Sequence, residues 1–359
     1  MLAGFPSRMK IALDTSHLFI AREGIARYLR GLLKGFATVG TPGMEIETVA
    51  WPVENFGFQQ PLRAMKTAYR EGIWGRIIAP VALRLQKFDL LHSQGDIIPP
   101  SLFPNQVITL HDLARLRFPQ FMRPWNRLMA GNRLSYLHQA RRIHCISHFT
   151  ADEAHRLLGI PLSKIEVIHL GVDALPVEEP TDAFRATIPE SYFLFVSALK
   201  PNKNIRLLRE IYLLAESRSI ALPPLLLVGA RMEGCMSEGT PPASWKFLGH
   251  VSDATLGWLY SRAEGLLFPS LYEGFGFPPA EAMRLRCPVL CGRVASLPEV
   301  CGEGAFYSEL SPEPFLETMR QVLSEPNQRE DKVEEGYQHS LGFSWEKCAR
   351  EHLELYASV

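Results

Sequence analysis

No apolar run in the 359-residue chain approaches the ~20 residues needed to cross a bilayer, and its first residues lack the core of a secretory signal. These absences predict a protein of the cytoplasm. Net charge is also missing: 38 Lys+Arg balance 38 Asp+Glu. With no nucleic-acid motif either, nucleic acid is disfavoured as a partner. There is no Cys-x-x-Cys pair and no Cys/His zinc pattern. Cys145, Cys235, Cys287, Cys291, Cys301 and Cys348 stand singly, several in apolar segments, and read as buried reduced thiols. No Gly-x-Gly-x-x-Gly follows the first apolar strand, which weighs against a nicotinamide oxidoreductase.

What is present is enough apolar material, 47% of residues, for two domains of roughly 150–200 residues each. Ile11 to Leu13 read as a first strand ending at Asp14, with Met9 as the native start and residues 1–8 as an extension. The spacing of Ile25, Leu29, Leu32, Leu33 and Phe36 predicts an amphipathic helix. A helical stretch from Leu62 to Leu85 follows, then buried strands at Asp89 to His92, Val107 to Leu110 and Ile143 to Ser147. Thr150-Ala-Asp-Glu153 reads as a capping box opening a helix that Gly159 ends.

Charge is unevenly placed. Before Pro180 there are 21 Lys+Arg against 15 Asp+Glu, and from Pro180 onward 17 against 23. Between Asp112 and Asp152 lie Arg115, Arg117, Arg123, Arg127, Arg133, Arg141 and Arg142 without one acid. Aromatic and apolar residues alternate with them, so residues 115–142 are either a patch for an anionic membrane surface, such as the inner face of a cell membrane, or a solvated helix face.

The densest signal runs from Gly265 to Val300. A short apolar strand, Gly265 to Phe268, leads through Glu273-Gly274-Phe275-Gly276 into a helix opened by Pro278-Pro279. A glycine loop at a helix start gathers free N–H groups and positive dipole, which suits a phosphate. Glu273 and Glu281 flank this loop, Glu281 being placed in the helix's first turn, and Ser296-Leu-Pro-Glu299 reads as a second capping box.

With Glu273 and Glu281 separated by seven residues and followed by Ser-Leu-Pro-Glu-Val, the chain resembles the family-4 retaining glycosyltransferases of the GT-B fold. The resemblance spans nearly the whole chain. It implies an α/β fold of two Rossmann-like domains facing a cleft. The boundaries are 1–175 for the acceptor-side domain, 176–188 for a linker, 189–343 for the nucleotide-sugar domain and 344–359 for a helix crossing back to the first domain.

Residue by residue, the resemblance implies that His111 and Glu273 face the donor sugar at the catalytic centre. Ser197, Asn202, Lys203, His250, Val251, Gly274, Phe275, Gly276 and Glu281 hold the donor nucleotide and diphosphate. Gly24, Arg27, Tyr28 and Asp112 lie on the acceptor side. Ala26 stands where a glycine is usual and Asn202 where an arginine is usual. No Asp-x-Asp occurs, so no metal and no other cofactor is expected, and Lys203 with the loop N–H groups would neutralise the diphosphate.

The implied reaction moves a hexose from a nucleotide sugar, mannose from GDP-mannose as the leading reading, to a hydroxyl of a glycan or polyprenyl-phosphate-linked acceptor in surface-polysaccharide synthesis. Two alternatives stay open. One is another GT-B enzyme such as a sugar-nucleotide epimerase, which would act on the donor without an acceptor. The other is a non-catalytic carbohydrate-binding or partner subunit.

Overall fold

The computed structural model describes residues 8–20, 24–50, 69–94, 98–118, 134–198, 200–229 and 240–359. The chain divides into two compact units: Met1–Gly171 with Ser344–Val359, and Val172–Phe343. Most of the basic stretch lies outside the described residues, as does Cys235.

The first unit holds a six-stranded sheet of β1 (Met9–Asp14), β2 (Met44–Val49), β3 (Leu90–Ser93), β4 (Gln106–Leu110), β5 (Arg142–Cys145) and β6 (Ile165–Val167), in the order β2-β1-β3-β4-β5-β6. All pairings are parallel. Every residue of β3 and β4 is buried, as strands covered on both faces require.

The helix Gly24–Val39 turns Ala26, Leu29, Leu32 and Phe36 inward. It also offers Gly31 and Gly35 to the C-terminal helix Trp345–Ala357. A Cβ on Gly31 would lie 2.0 Å from the Trp345 ring, and one on Gly35 2.3 Å from the Trp345 carbonyl oxygen. Gly171 meets the same residue from another side. Three glycines therefore seat one tryptophan.

The helix His148–Leu158 follows β5 and takes its cap from Ser147. Ser147 Oγ accepts the Thr150 N–H at 3.1 Å, so Thr150 belongs to the first turn and the Thr150–Glu153 capping box is not formed; Gly159 ends the helix in the left-handed region. Of the 62–85 stretch, the described part is a π-helical segment Tyr69–Ile78 followed by the α-helix Ala79–Leu85.

The second unit holds β7 (Phe193–Val196), β8 (Leu225–Val228), β9 (Trp245–Gly249), β10 (Gly265–Phe268), β11 (Val289–Gly292) and β12 (Ala305–Ser308), in the order β12-β11-β10-β7-β8-β9. Alternation along its strands builds two cores. Phe193, Phe195, Leu225, Leu227, Leu267 and Leu290 share one with the helices Ile205–Ser217 and Pro312–Ser324. Leu194, Leu226, Leu266, Phe268 and Val289 share the other with Asp253–Arg262 and Phe277–Arg284.

Leu175 already lies in that second core, and Asp182–Arg185 form a helical turn capped by Thr181. Where the chain enters and leaves this unit, the Val172 N–H donates to the Phe343 carbonyl at 3.1 Å, and Arg284 donates to both the Val172 and Phe343 carbonyls. In the second sheet the strands run outward from β7 through β9, then restart at β10 on the other side of β7. Such a reversal leaves a crevice at the strands' carboxyl ends, where ligands of open α/β sheets bind.

Candidate active site

At the reversal in the second unit, the loops after β7 and β10 meet. The Leu271 N–H donates to the Asn202 carbonyl at 2.9 Å, and Asn202 Nδ2 donates to the Tyr272 carbonyl at 3.2 Å. Asn202 is thus a clamp between the two loops. This clamp brings Lys203 and Glu273, 70 residues apart in sequence, to 2.5 Å between Nζ and Oε1. Their side chains are only 15% and 11% exposed, so the pair is largely withdrawn from water. An anionic ligand reaching Lys203 competes with Glu273 for the ammonium.

The loop is held from below by Ser296. Its hydroxyl lies 2.7 Å from the Phe275 carbonyl and 3.0 Å from the Glu273 carbonyl, so its one proton is shared between them. The predicted capping box at Ser296 is therefore not formed: the helix Leu297–Cys301 has no side-chain cap because that hydroxyl is engaged by the glycine loop. Gly276 enters the helix Phe277–Arg284 at φ 112°, where a Cβ would also stand 3.1 Å from Leu297. Glu281 is buried in this helix's second turn rather than its first, since the helix begins at Phe277.

Ser197 follows β7, its N–H donating to the Val228 carbonyl, and a Cβ on Gly229 would come within 2.1 Å of the Ser197 carbonyl oxygen. His250 and Val251 follow β9, with His250 exposed. Ser270, between β10 and Glu273, is fully buried and its hydroxyl has no hydrogen-bond partner among the described residues. It is a polar group that the sequence reading did not single out.

In the first unit, His111 follows β4 and its Nε2–H donates to Gln94 Oε1 at 2.7 Å, Gln94 following the neighbouring β3. Gln94 Nε2 is buried with no partner among the described residues, a second site atom that sequence reasoning missed. Asp112 accepts the Ala114 N–H at 3.0 Å and so shapes its own turn. Gly24 and Arg27 open the helix Gly24–Val39, and a Cβ on Gly24 would meet none of the described residues within 4 Å. Tyr28 is fully buried, its ring centroid 5.3 Å from that of His111 and its hydroxyl turned into the core toward Thr109 and His352. Leu29 and Leu32 on the same helix face explain this inward turn.

Two family models account for most of the chain: Glycosyltransferase Family 4 matches residues 24–174, and Glycosyl transferases group 1 matches residues 180–339. The chain belongs to the family-4 glycosyltransferases. Among relatives of this glycosyltransferase, the O-antigen chain mannosyltransferase B of Escherichia coli is 27% identical over 97% of this chain and 99% of its own length. The O-antigen chain mannosyltransferase RfbU of Salmonella typhimurium is 29% identical over 57% of each. Sucrose-phosphate synthase from Thermosynechococcus elongatus superposes with a TM-score of 0.71 at 20% identity, covering 98% and 99% of the two chains. That likeness shows the GT-B fold of the glycosyltransferase.

Proposed function

We propose that this glycosyltransferase transfers mannose from GDP-mannose, with retention of anomeric configuration, to a hydroxyl of a glycan or lipid-linked acceptor in the assembly of O-antigen-like surface polysaccharide. The mannosyltransferase relatives support the sugar and the polysaccharide. The observation that carries the donor chemistry is the convergence of Lys203 and Glu273 at the sheet reversal, beside a glycine loop that opens a helix.

In this reading the donor diphosphate takes Lys203 from Glu273. The ammonium then stabilises the charge that grows on the leaving phosphate, with little reorganisation. Glu273, released, accepts hydrogen bonds from sugar hydroxyls. The buried Glu281 carboxylate accepts from the nucleotide ribose. The departing phosphate helps remove the acceptor proton on the face it leaves. No divalent ion takes part in donor binding, since Lys203 and the loop N–H groups supply the positive charge.

Calorimetric titration of GDP, UDP, ADP and GDP-mannose into the protein in the presence of a chelator tests this directly. Micromolar binding of GDP and GDP-mannose, lost in Glu281→Ala, is the expected result. Preference for another base overturns the donor, and absence of all binding by folded protein overturns the donor site. The anomeric configuration of the product, read by NMR, decides retention.

A further inference from the structure

Four buried polar side chains converge inside the first unit. His92 on β3 and His144 on β5 point to the same face of the sheet as Thr109 on the strand between them, and His352 reaches that face from the C-terminal helix. All three histidines are completely buried, and their ligand atoms lie within 4.8 Å of one another.

Their outer nitrogens settle which way the inner ones face. A carbonyl can only accept, so His144 Nε2–H donates to the Ile168 carbonyl at 2.8 Å and His352 Nδ1–H donates to the Cys348 carbonyl at 2.7 Å. In the neutral rings, His144 Nδ1 and His352 Nε2 are therefore acceptors 3.3 Å apart, and the Thr109 hydroxyl lies 3.1 Å from His144 Nδ1 and 2.7 Å from His92 Nε2. The neutral imidazole is the form that binds metals.

Tetrahedral coordination with bonds of about 2.0–2.1 Å places ligand atoms about 3.3 Å apart. The Tyr28 hydroxyl fits the fourth corner, at 3.1 Å from His352 Nε2 and 3.5 Å from His92 Nε2. Each ring is also oriented through its other nitrogen, His92 Nδ1 by the Tyr356 hydroxyl at 2.6 Å, as metal-bound histidines are. We propose that His92, His144, His352 and Tyr28 form a structural site for one zinc-class divalent ion, joining the C-terminal helix to β3 and β5. The site lies in the core of the first unit.

The test uses tag-free full-length protein, unfolded with chelator and refolded with Zn²⁺ or Co²⁺. About one equivalent of metal per chain, the intense visible absorption of four-coordinate Co²⁺, and a melting temperature roughly 5–10 °C above that of the chelator-refolded protein are expected. In His352→Gln the metal content falls at least tenfold. Equal metal content in wild type and His352→Gln overturns the proposal. So does a wild-type protein that refolds without stoichiometric metal and gives no four-coordinate Co²⁺ spectrum, which leaves the cluster a hydrogen-bond network through Thr109; this measurement decides even where the variant does not fold.

Discussion

A lysine and a glutamate withdrawn together from water constrain each other. Removing one leaves the other buried and uncompensated, whereas removing both costs far less. Lys203→Met should therefore lower the melting temperature, and Lys203→Met with Glu273→Gln should recover much of it. Activity should not recover: kcat/KM falls about 10²–10³-fold in both if the ammonium stabilises the leaving group. Melting curves and initial rates on the same preparations separate the two effects.

Cys287 gives a pH dependence of known sign. Burial pushes its thiol up to about 12, against roughly 8.5 in an unfolded chain. Above 8.5 the unfolded chain loses a proton that the folded chain keeps, so stability falls as pH rises from about 8.5 toward 12, by up to about 1.4 kcal/mol per pH unit from this group. Urea midpoints of wild type and Cys287→Ala at pH 8 and 10 should show a smaller alkaline loss in the variant.

At this scale the sequence was legible in part. Lys203 and Glu273 were singled out through the family motifs the chain resembles, and the fold brings the two side chains together. Asn202 could not be read as a clamp, since its carbonyl acts as much as its amide does. The inward turn of the Tyr28 hydroxyl could not be read, because a tyrosine on a helix carries no sign of which way its hydroxyl goes.

At the scale of elements, the glycines of one helix have opposite meanings. Gly31→Ala drives a methyl into the Trp345 ring and should cost about 1–3 kcal/mol despite the better helix propensity of alanine. Gly24→Ala meets none of the described residues and should be neutral or slightly stabilising. Chemical denaturation of the two variants side by side checks this contrast, and any loss of activity in Gly24→Ala then reports on a ligand rather than on packing.

Ser296 shows why an element start can be misread. Ser-Leu-Pro-Glu has the letters of a capping box, but the hydroxyl is taken by two carbonyls of a loop more than twenty residues earlier. Ser296→Ala should raise the KM for the donor several-fold and cost about 1–2 kcal/mol by leaving those buried carbonyls short of a donor. The Thr150 box failed for a nearer reason, a serine three residues upstream that caps first.

Across the whole molecule, the alternation of short apolar strands with amphipathic helices made two parallel sheets readable, because strands covered on both faces need unbroken apolar runs. The histidine cluster was not readable. Its members at 92, 144 and 352 share no spacing, and only the strand register and the returning helix bring them together. The return of residues 344–359 to the first unit also has a consequence for how the protein is made. On the ribosome, Val172–Phe343 emerges complete and can fold while the earlier unit still waits for its last helix. Until residues 344–359 have been made, the glycine groove of Gly31 and Gly35 and the polar face carrying His92 and His144 lack the cover of that helix. The part synthesised first is the part finished last, and the nascent chain is most exposed to aggregation and to chaperones in that interval.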